Sequence, residues 1–441
     1  RVTDIHDVRA RIVAELTGQQ APGIPVSDEP FILAAIDLAP ADTATLDPEK
    51  VIALITSDGG PQAHTAILAR GLGLPAIVAA KGVTDIADGT IVYVESNEGI
   101  VDTEPTDADR EAAIKYANRK PVADFDGQGV LADGTRVELY ANVGDGKSAE
   151  KAASLKAEGV GLLRTEFGFL GHDSEPSIET QAKTYKSVFD AFPGKHIVVR
   201  TLDAGADKPL PFLNVNPEEN PALGVRGFRT DWTVPGVLTR QLEAIKAASE
   251  DSDADIWVMA PMISTTSEAR NFANMLKEIG LPVHGVMVET PAAVMNAEAI
   301  LGEVDFVSIG TNDLTQYTMA ADRLLGDLAH LNNPWQPAVL KMIKMTVEGA
   351  QRASVTAGKK KYVSVCGEAA ADPALAVVLI GLGVDTLSMN AGAIPAVAAV
   401  LKSVTKEKAQ QIAAIALQQI SSAEAKESAR KALPILDELG L

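Results

Sequence analysis

Apolar residues recur along much of this chain in short blocks. From about residue 135 onward there are eight: Val137–Asn142, Val160–Arg164, Ile197–Arg200, Ile256–Pro261, Gly285–Glu289, Phe306–Gly310, Tyr362–Cys366 and Val384–Met389. Each is followed by a longer stretch with helical spacing of its apolar positions. Near-continuous apolar strands alternating with helices indicate a parallel sheet covered on both faces. Eight such units over about 300 residues predict a closed (β/α)₈ barrel of the TIM type.

The first quarter of the chain reads differently. Val8, Ile12, Val13 and Leu16 share one helical face, and Gly18 follows as a stop, which predicts a helix over 1–18. Short β-rich segments come next at Phe31–Ile36, Val51–Thr56, Ala76–Ala79 and Ile91–Val94, separated by Pro, Asp and Gly. Thr106–Arg119 is helical, polar and charged, with Pro105 and Pro121 at its borders, and reads as a linker helix between domains. The expected organisation is therefore an α/β domain over 1–104, a linker over 105–127 and the barrel over 128–441.

Charge and cysteine usage narrow the function classes. The formal net charge of −20 argues against nucleic acid or an anionic membrane surface as partner, since both call for basic patches. If the substrate is a small anion, local arginines must overcome that field. No apolar run approaches the roughly 20 residues of a membrane span, and no signal peptide is visible. The single Cys366 cannot form an internal disulfide, so a reducing cytoplasm is the simplest compartment. The polar start at Arg1, without an initiator Met, suggests a longer parent sequence trimmed at its N-terminus.

Candidate chemistry gathers at the ends of the eight blocks, which in such barrels form the active-site mouth. These ends carry Asn142, Arg164-Thr165-Glu166, Arg200, Met262, Glu289, Asn312-Asp313, Cys366 with Glu368, and Ser388 with Asn390. Glu289 and Asp313 terminate successive blocks and could share one ion. Hard oxygen donors without His or Cys favour Mg²⁺ or Mn²⁺; the alternative is two solvated acids. Arg164, Arg200, Arg226 and Arg323 offer forks that bond phosphate or carboxylate bidentately, or else they form ordinary salt bridges. Cys366 is either a buried apolar thiol or a proton donor at the mouth. In the first domain an apolar strand runs into Gly59-Gly60, and His64 stands where a helix begins. A neutral imidazole there is an available nucleophile beside backbone N–H groups that bind phosphate, or simply a cap residue.

These motifs resemble those of the phosphoenolpyruvate-utilising enzymes. The run Gly59-Gly60-x-x-x-His64-Thr65-Ala66-Ile67-x-Ala69-Arg70 with Pro75-Ala76-Ile77-Val78 is similar to the family's phosphohistidine segment, with Ala63 where the family usually has Ser or Thr. Glu289-Thr290-Pro291, Gly310-Thr311-Asn312-Asp313-Leu314-Thr315-Gln316-Tyr317 and Cys366-Gly367-Glu368 resemble its barrel signatures. Within the family, the whole chain to about residue 400 resembles the Enzyme I type of bacterial sugar phosphotransferase systems.

That resemblance implies a swivelling phosphohistidine domain, incomplete at its N-terminus, ahead of a barrel that binds phosphoenolpyruvate and dimerises. It implies phosphorylation of His64, Mg²⁺ on Glu289 and Asp313, and substrate contacts from Arg164, Arg200, Arg226, Asn312 and Arg323. Cys366 would protonate enolpyruvate. Leu324-Leu325-Gly326-Asp327 departs from the family's usual Gly-Asn-Asp after the last arginine. The resemblance further implies transfer onward to the carrier HPr, with the helical domain that docks HPr expected upstream of Arg1. Because His64 and the substrate site fall in different domains, the linker must act as a hinge. Two competing readings stay open: a fragment of pyruvate phosphate dikinase or phosphoenolpyruvate synthase, and a non-catalytic switch that senses phosphoenolpyruvate. A third, a carbon–carbon lyase on a similar barrel, has no use for His64.

Overall fold

The computed structural model describes residues 24–25, 27–38, 46–47, 50–58, 74–96, 99–117, 122–204, 210–213 and 218–441, with Arg9 and Ala69. The predicted helix over 1–18 and the segment carrying His64 lie outside the described residues. The chain divides into two units, Arg1–Arg119 with Asp322–Ala329, and Lys120–Ala321 with His330–Leu441.

In the first unit, β1 (Phe31–Ala35), β2 (Val51–Thr56) and β3 (Ala76–Ile77) form a parallel sheet with β2 at its centre. The sequence Val-Ile-Ala-Leu-Ile-Thr of β2 is nearly all apolar because, apart from the exposed Ile52, both of its faces are covered. Leu54 packs with Leu33, Val51 and Leu74 on one side, and Ile55 packs with Ile77 and Val83 on the other. A separate antiparallel pair, β4 (Tyr93–Glu95) and β5 (Ile100–Asp102), completes the described strands of this unit. The second of these was not foreseen. It is three residues long, exposed or half-buried throughout, and so has no apolar block to announce it. Helix α1 (Asp107–Ala117) falls inside the predicted linker and buries none of its residues.

The second unit is the predicted barrel. Its strands are β6 (Glu138–Val143), β7 (Gly159–Arg164), β8 (His196–Arg200), β9 (Asp255–Ala260), β10 (His284–Val288), β11 (Phe306–Ile309), β12 (Tyr362–Val365) and β13 (Thr386–Met389). All pair in parallel in sequence order, and β13 closes onto β6 with Leu387 opposite Leu139. Helix α2 (Gly146–Ser154) follows β6, α3 (Ile178–Phe189) follows β7, α4 (Val237–Glu250) follows β8 and α5 (Thr266–Ile279) follows β9. Two short helices, α6 (Pro291–Met295) and α7 (Ala297–Glu303), lie between β10 and β11. Next come α8 (Thr311–Met319) and α9 (Pro337–Ala357), then α10 (Pro373–Leu382) and α11 (Ile394–Leu401). The last three, α12 (Lys406–Leu417), α13 (Ser422–Lys431) and α14 (Ile435–Leu439), come after the eighth repeat.

Local sequence sets these helices. In α5 the Thr265 hydroxyl accepts from Glu268 N–H while the Glu268 carboxylate accepts from Thr265 N–H, and Gly280 ends the helix at φ 84°. Its buried residues Ala269, Phe272, Ala273 and Leu276 recur at the spacing of one helical face. Helix α10, Pro-Ala-Leu-Ala-Val-Val-Leu-Ile-Gly-Leu, has no polar face because α12 covers the side turned away from the barrel. Gly381 permits that contact, since a Cβ there would lie 2.1 Å from the Ala409 carbonyl oxygen. The main core fills the space between strands and helices. A second layer inside the barrel is built from Leu162, Val198, Met259, Met287, Phe306 and Cys366. Among the described residues no helix is long and apolar enough to cross a membrane.

Candidate active site at the barrel mouth

Strands that leave the barrel interior end in residues that tolerate water, and at β7, β8 and β10 those residues are charged. Arg164 and Arg200 are the last residues of β7 and β8 and lie opposite each other in register, so both side chains leave the sheet at one level. Arg164 is half-buried and Arg200 is buried. Arg226 belongs to the β8–α4 connection, at the entry to the short 3₁₀ turn Gly227–Trp232, and is 3% exposed.

A continuous chain of charge links these groups. Arg200 Nη2 donates to Glu166 Oε1 at 3.0 Å, and Arg200 Nη1 lies 3.4 Å from Asp203 Oδ2. Arg226 donates to both oxygens of Asp203, from Nε at 3.1 Å and from Nη2 at 2.8 Å. Its remaining nitrogen, Nη1, donates to Asp313 Oδ1 at 2.9 Å and to Tyr317 Oη at 3.3 Å. Tyr317 Oη donates onward to the Ala222 carbonyl. Burial alone would discourage the charge on either arginine. The carboxylates of Glu166, Asp203 and Glu289 around Arg200, and of Asp203 and Asp313 around Arg226, more than offset it.

Glu289 follows β10 and is 1% exposed. Its Oε1 accepts from Met262 N–H at 2.7 Å. Met262 holds a left-handed backbone at φ 59°, uncommon for a residue with a side chain, and this places the N–H donor at the mouth. Burial, then the neighbouring carboxylates of Asp313 and Asp203, raise the Glu289 carboxyl well above the ordinary range. The rim therefore gathers four buried carboxylates, Glu166, Asp203, Glu289 and Asp313, against two buried guanidiniums, Arg200 and Arg226. A divalent cation shared by Glu289 and Asp313 would relieve the repulsion between these carboxylates that raises Glu289.

Among the described residues no group of three or more His, Cys, Asp or Glu stands ready to hold such an ion by itself. The donor set instead fits an ion that takes one or two carboxylates, Glu289 and Asp313, and completes its shell with water and substrate oxygens. Mg²⁺ usually binds in that way.

Cys366 follows β12 and is 2% exposed. Its thiol belongs to the apolar layer beneath the charged rim, with Leu162, Met259 and Met287, and not to the rim itself. Burial pushes the thiol up from its usual range, and the nearby Arg200 charge pulls the other way without cancelling it; the Sγ donates to the Ile309 carbonyl at 3.7 Å. It is thus held as the protonated acid. Asn142 fixes the backbone here: its Nδ2 donates to the Cys366 carbonyl at 2.8 Å, while Ser388 Oγ donates to its Oδ1 at 2.6 Å. Three strand ends are tied together by these two bonds. Asn312 Oδ1 accepts from Glu368 N–H at 3.2 Å, which joins the start of α8 to the loop after Cys366.

The structure thus brings together Arg164, Arg200, Arg226, Glu289, Asn312, Asp313 and Cys366 within the second unit. Arg323 lies on Asp322–Ala329, which groups with the first unit, and His64 lies outside the described residues. Sequence reasoning assigned no role to Asp203, Glu166, Tyr317 or Gln241. The two acids had a signal, since Asp203 and Glu166 come two or three residues after strand-ending arginines. Gln241, in the middle of α4, had none.

Comparison with known proteins matches both units. The family model described as the PEP-binding domain of PEP-utilising enzymes covers residues 122–406, and that of their mobile domain covers 27–99. The phosphoenolpyruvate-protein phosphotransferase of Streptomyces coelicolor is 47% identical over 437 residues, spanning 98% of this chain and 78% of that protein. The protein of the same name from Haloferax volcanii is 39% identical, spanning 97% and 76%. The multiphosphoryl transfer protein of Xanthomonas campestris pv. campestris is 40% identical, spanning 95% of this chain and 51% of its own length.

Proposed function

Since the chain belongs to the PEP-utilising enzymes, and within them to the transferases that pass the phosphoryl group of phosphoenolpyruvate to protein, we propose that His64 is the residue phosphorylated and that the mouth of the barrel is where the substrate gives the group up. The observation that carries this is the alternating network Glu166–Arg200–Asp203–Arg226–Asp313, buried at the strand ends beside Glu289. Phosphoenolpyruvate presents a phosphate and a carboxylate, and Arg164, Arg200 and Arg226 supply the planar forks that bond both. Arg323 and Asn312 belong to the same proposed set.

A loose, metaphosphate-like transition state spreads negative charge over the transferred oxygens, and guanidiniums already fixed by carboxylates meet it without reorganising. Mg²⁺ or Mn²⁺ on Glu289 and Asp313 would neutralise part of that charge when bound. Departure of the phosphoryl group leaves enolpyruvate, whose methylene carbon takes a proton to become pyruvate. Cys366, buried and protonated beneath the rim, is the proposed donor.

We assign residues 1–104 to the phosphohistidine domain, 105–127 to the linker and 128–441 to the barrel, through which the chain pairs as a homodimer in the cytoplasm. The phosphocarrier downstream is proposed to be HPr. Incubation with ³²P-phosphoenolpyruvate and Mg²⁺ tests the central claim. An acid-labile, base-stable label that disappears in His64→Ala supports it; label retained in that variant sinks it.

A further inference from the structure

Asn142 of β6 directs its side chain at the backbone just past β12, two strands away around the barrel. The sheet stops short of that point, since β12 and β13 pair through Ser364 and Val365. The Cys366 N–H is bonded to the Ile309 carbonyl of β11 at 3.1 Å. On the other side the Cys366 carbonyl accepts from Asn142 Nδ2 at 2.8 Å, so both peptides of the cysteine are held. The direction of the amide is forced: a carbonyl oxygen cannot donate, so the nitrogen must face it. Asn142 Oδ1 is left to the Ser388 hydroxyl, at 2.6 Å.

Two features make room for this reach. A Cβ on Gly161 would lie 2.5 Å from both the Cβ and the Oγ of the buried Ser388, so position 161 leaves no space for a side chain. The pairing of β6 with β7 also slips here. Ala141 is opposite Val160 and Asn142 is opposite Leu162, which makes Gly161 an extra residue beside Asn142. Bulges of this kind re-aim side chains and collect next to active sites. A regular ladder would close this part of the barrel. What the bulge, the glycine and the two polar side chains add is a fixed peptide at Cys366.

We propose that Asn142, anchored by Ser388, is a positioning residue for proton delivery: it sets the Cys366 thiol against the methylene carbon of enolpyruvate and takes no part in moving the phosphoryl group. The inference rests on the reading of Cys366 as the proton donor. In that step the double-bond electrons of the enolate form the new C–H bond and the S–H bond breaks. The enolate C–O becomes the pyruvate carbonyl, and water later returns a proton to the thiolate. The arginines proposed to bind the phosphoryl group have other supports, since Arg200 and Arg226 are held by Glu166, Asp203 and Asp313. Loss of Asn142 should therefore slow one half of the reaction and spare the other.

The test follows a single turnover of the full chain with Mg²⁺. Rapid quenching with ³²P-phosphoenolpyruvate times the labelling of the protein, and lactate dehydrogenase with NADH times the appearance of pyruvate. A parallel run uses phosphoenolpyruvate with one deuterium of fixed geometry on its methylene carbon, in tritiated water. Protonation on the enzyme then gives a methyl group of one configuration, whereas enolpyruvate that escapes gives both. The unaltered chain should show matched rates and one configuration. In Asn142→Leu, labelling should stay within about threefold while pyruvate lags by about 10², the cost of misplacing a reacting group by about 1 Å. Its methyl groups should be partly racemic. Ser388→Ala keeps the Asn142 bond but removes its anchor, and should show the same split at about tenfold.

Circular dichroism checks folding, and Ser388→Ala decides alone if Asn142→Leu does not fold. Cys366→Ala separates the two possible failures. Unaltered pyruvate formation and configuration in that variant overturn the reading of Cys366 as donor. Delay and racemisation in Cys366→Ala, with matched rates and a single configuration in folded Asn142→Leu, overturn the proposal. So does a loss in which labelling and pyruvate formation slow by the same factor, the result expected of a merely structural role.

Discussion

Gln241 lies on α4, outside the charged rim, yet it determines where two strand ends sit. It is 1% exposed. Its Oε1 accepts from Leu202 N–H at 2.8 Å, and its Nε2 donates to Thr165 Oγ1 and to Tyr185 Oη, each at 3.0 Å. Thr165 in turn donates to the Arg200 carbonyl at 2.9 Å. One amide therefore braces the backbone between Arg200 and Asp203 and the residue between Arg164 and Glu166.

Gln241→Leu keeps the approximate volume and removes all three bonds. The Leu202 N–H is left buried without a partner, which costs about 1–3 kcal/mol. Thr165 and Tyr185 each lose one incoming bond, at about 0.5–1.5 kcal/mol apiece. Thr165 keeps its bond to the Arg200 carbonyl, and Tyr185 keeps its bond to Gln181 Oε1. Added apolar contact recovers part of the loss, so a net destabilisation of about 2–4 kcal/mol is expected. A shift of order 1 Å in Arg200 and Asp203 should lower kcat/KM by about 10².

Gln241→Glu separates bracing from bulk stability. Its carboxylate can still accept from Leu202, but Thr165 must turn its hydroxyl toward the carboxylate and release Arg200. It should keep more of the stability and still lose activity. Urea unfolding at constant m-value gives the first quantity, and the rate of pyruvate formation gives the second. If both variants turn over phosphoenolpyruvate within threefold of the unaltered chain, the bracing argument is wrong.

Three further outcomes are expected. Cys366, buried and with its thiol raised by burial, should react very slowly with iodoacetamide at pH 7.5, the rate climbing only above the ordinary thiol range near ~8.5; fast alkylation at neutral pH in peptide mass spectra would contradict its placement. His196 is lowered by burial although Asp255 at 2.9 Å, and more weakly Glu138, act to raise it. The unfolded chain then binds the extra proton first, so this contribution to stability is present above about pH 6.5 and lost as pH falls through the region below it. His196→Gln should flatten the pH 5.5-to-7.5 difference in Tm, and an unaltered difference would refute the assignment. Gly367→Ala would bring a Cβ to 1.9 Å from Thr311 Oγ1 and 2.9 Å from Thr311 N, forcing the loop after Cys366 away from α8. A loss of about 1–3 kcal/mol is expected from overpacking, together with slower proton delivery, and calorimetry with pyruvate release checks the pair.

The barrel was written in the sequence because burial on both faces leaves a strand few polar positions. Each of the eight predicted blocks coincides with a strand to within one or two residues, as with Ile256–Pro261 against β9 (Asp255–Ala260). The helix boundaries were equally local, since caps such as Thr265 with Glu268 act over four residues. The residues at the mouth were legible too, because any polar group ending an apolar block must surface at one rim. What each of them does there was not. Arg226 reaches Asp203 across 23 positions and Asp313 across 87, and no local pattern relates the three. Sequence could present Arg226 as a substrate ligand. Only closure of the sheet showed it bonded to a proposed cation ligand, Cys366 set beneath the rim, and Gln241 of a flanking helix fixing the backbone beside Arg200. Hydrogen-bond partners of buried polar groups are decided by which strand ends and helices meet in space, and that meeting is a property of the whole barrel.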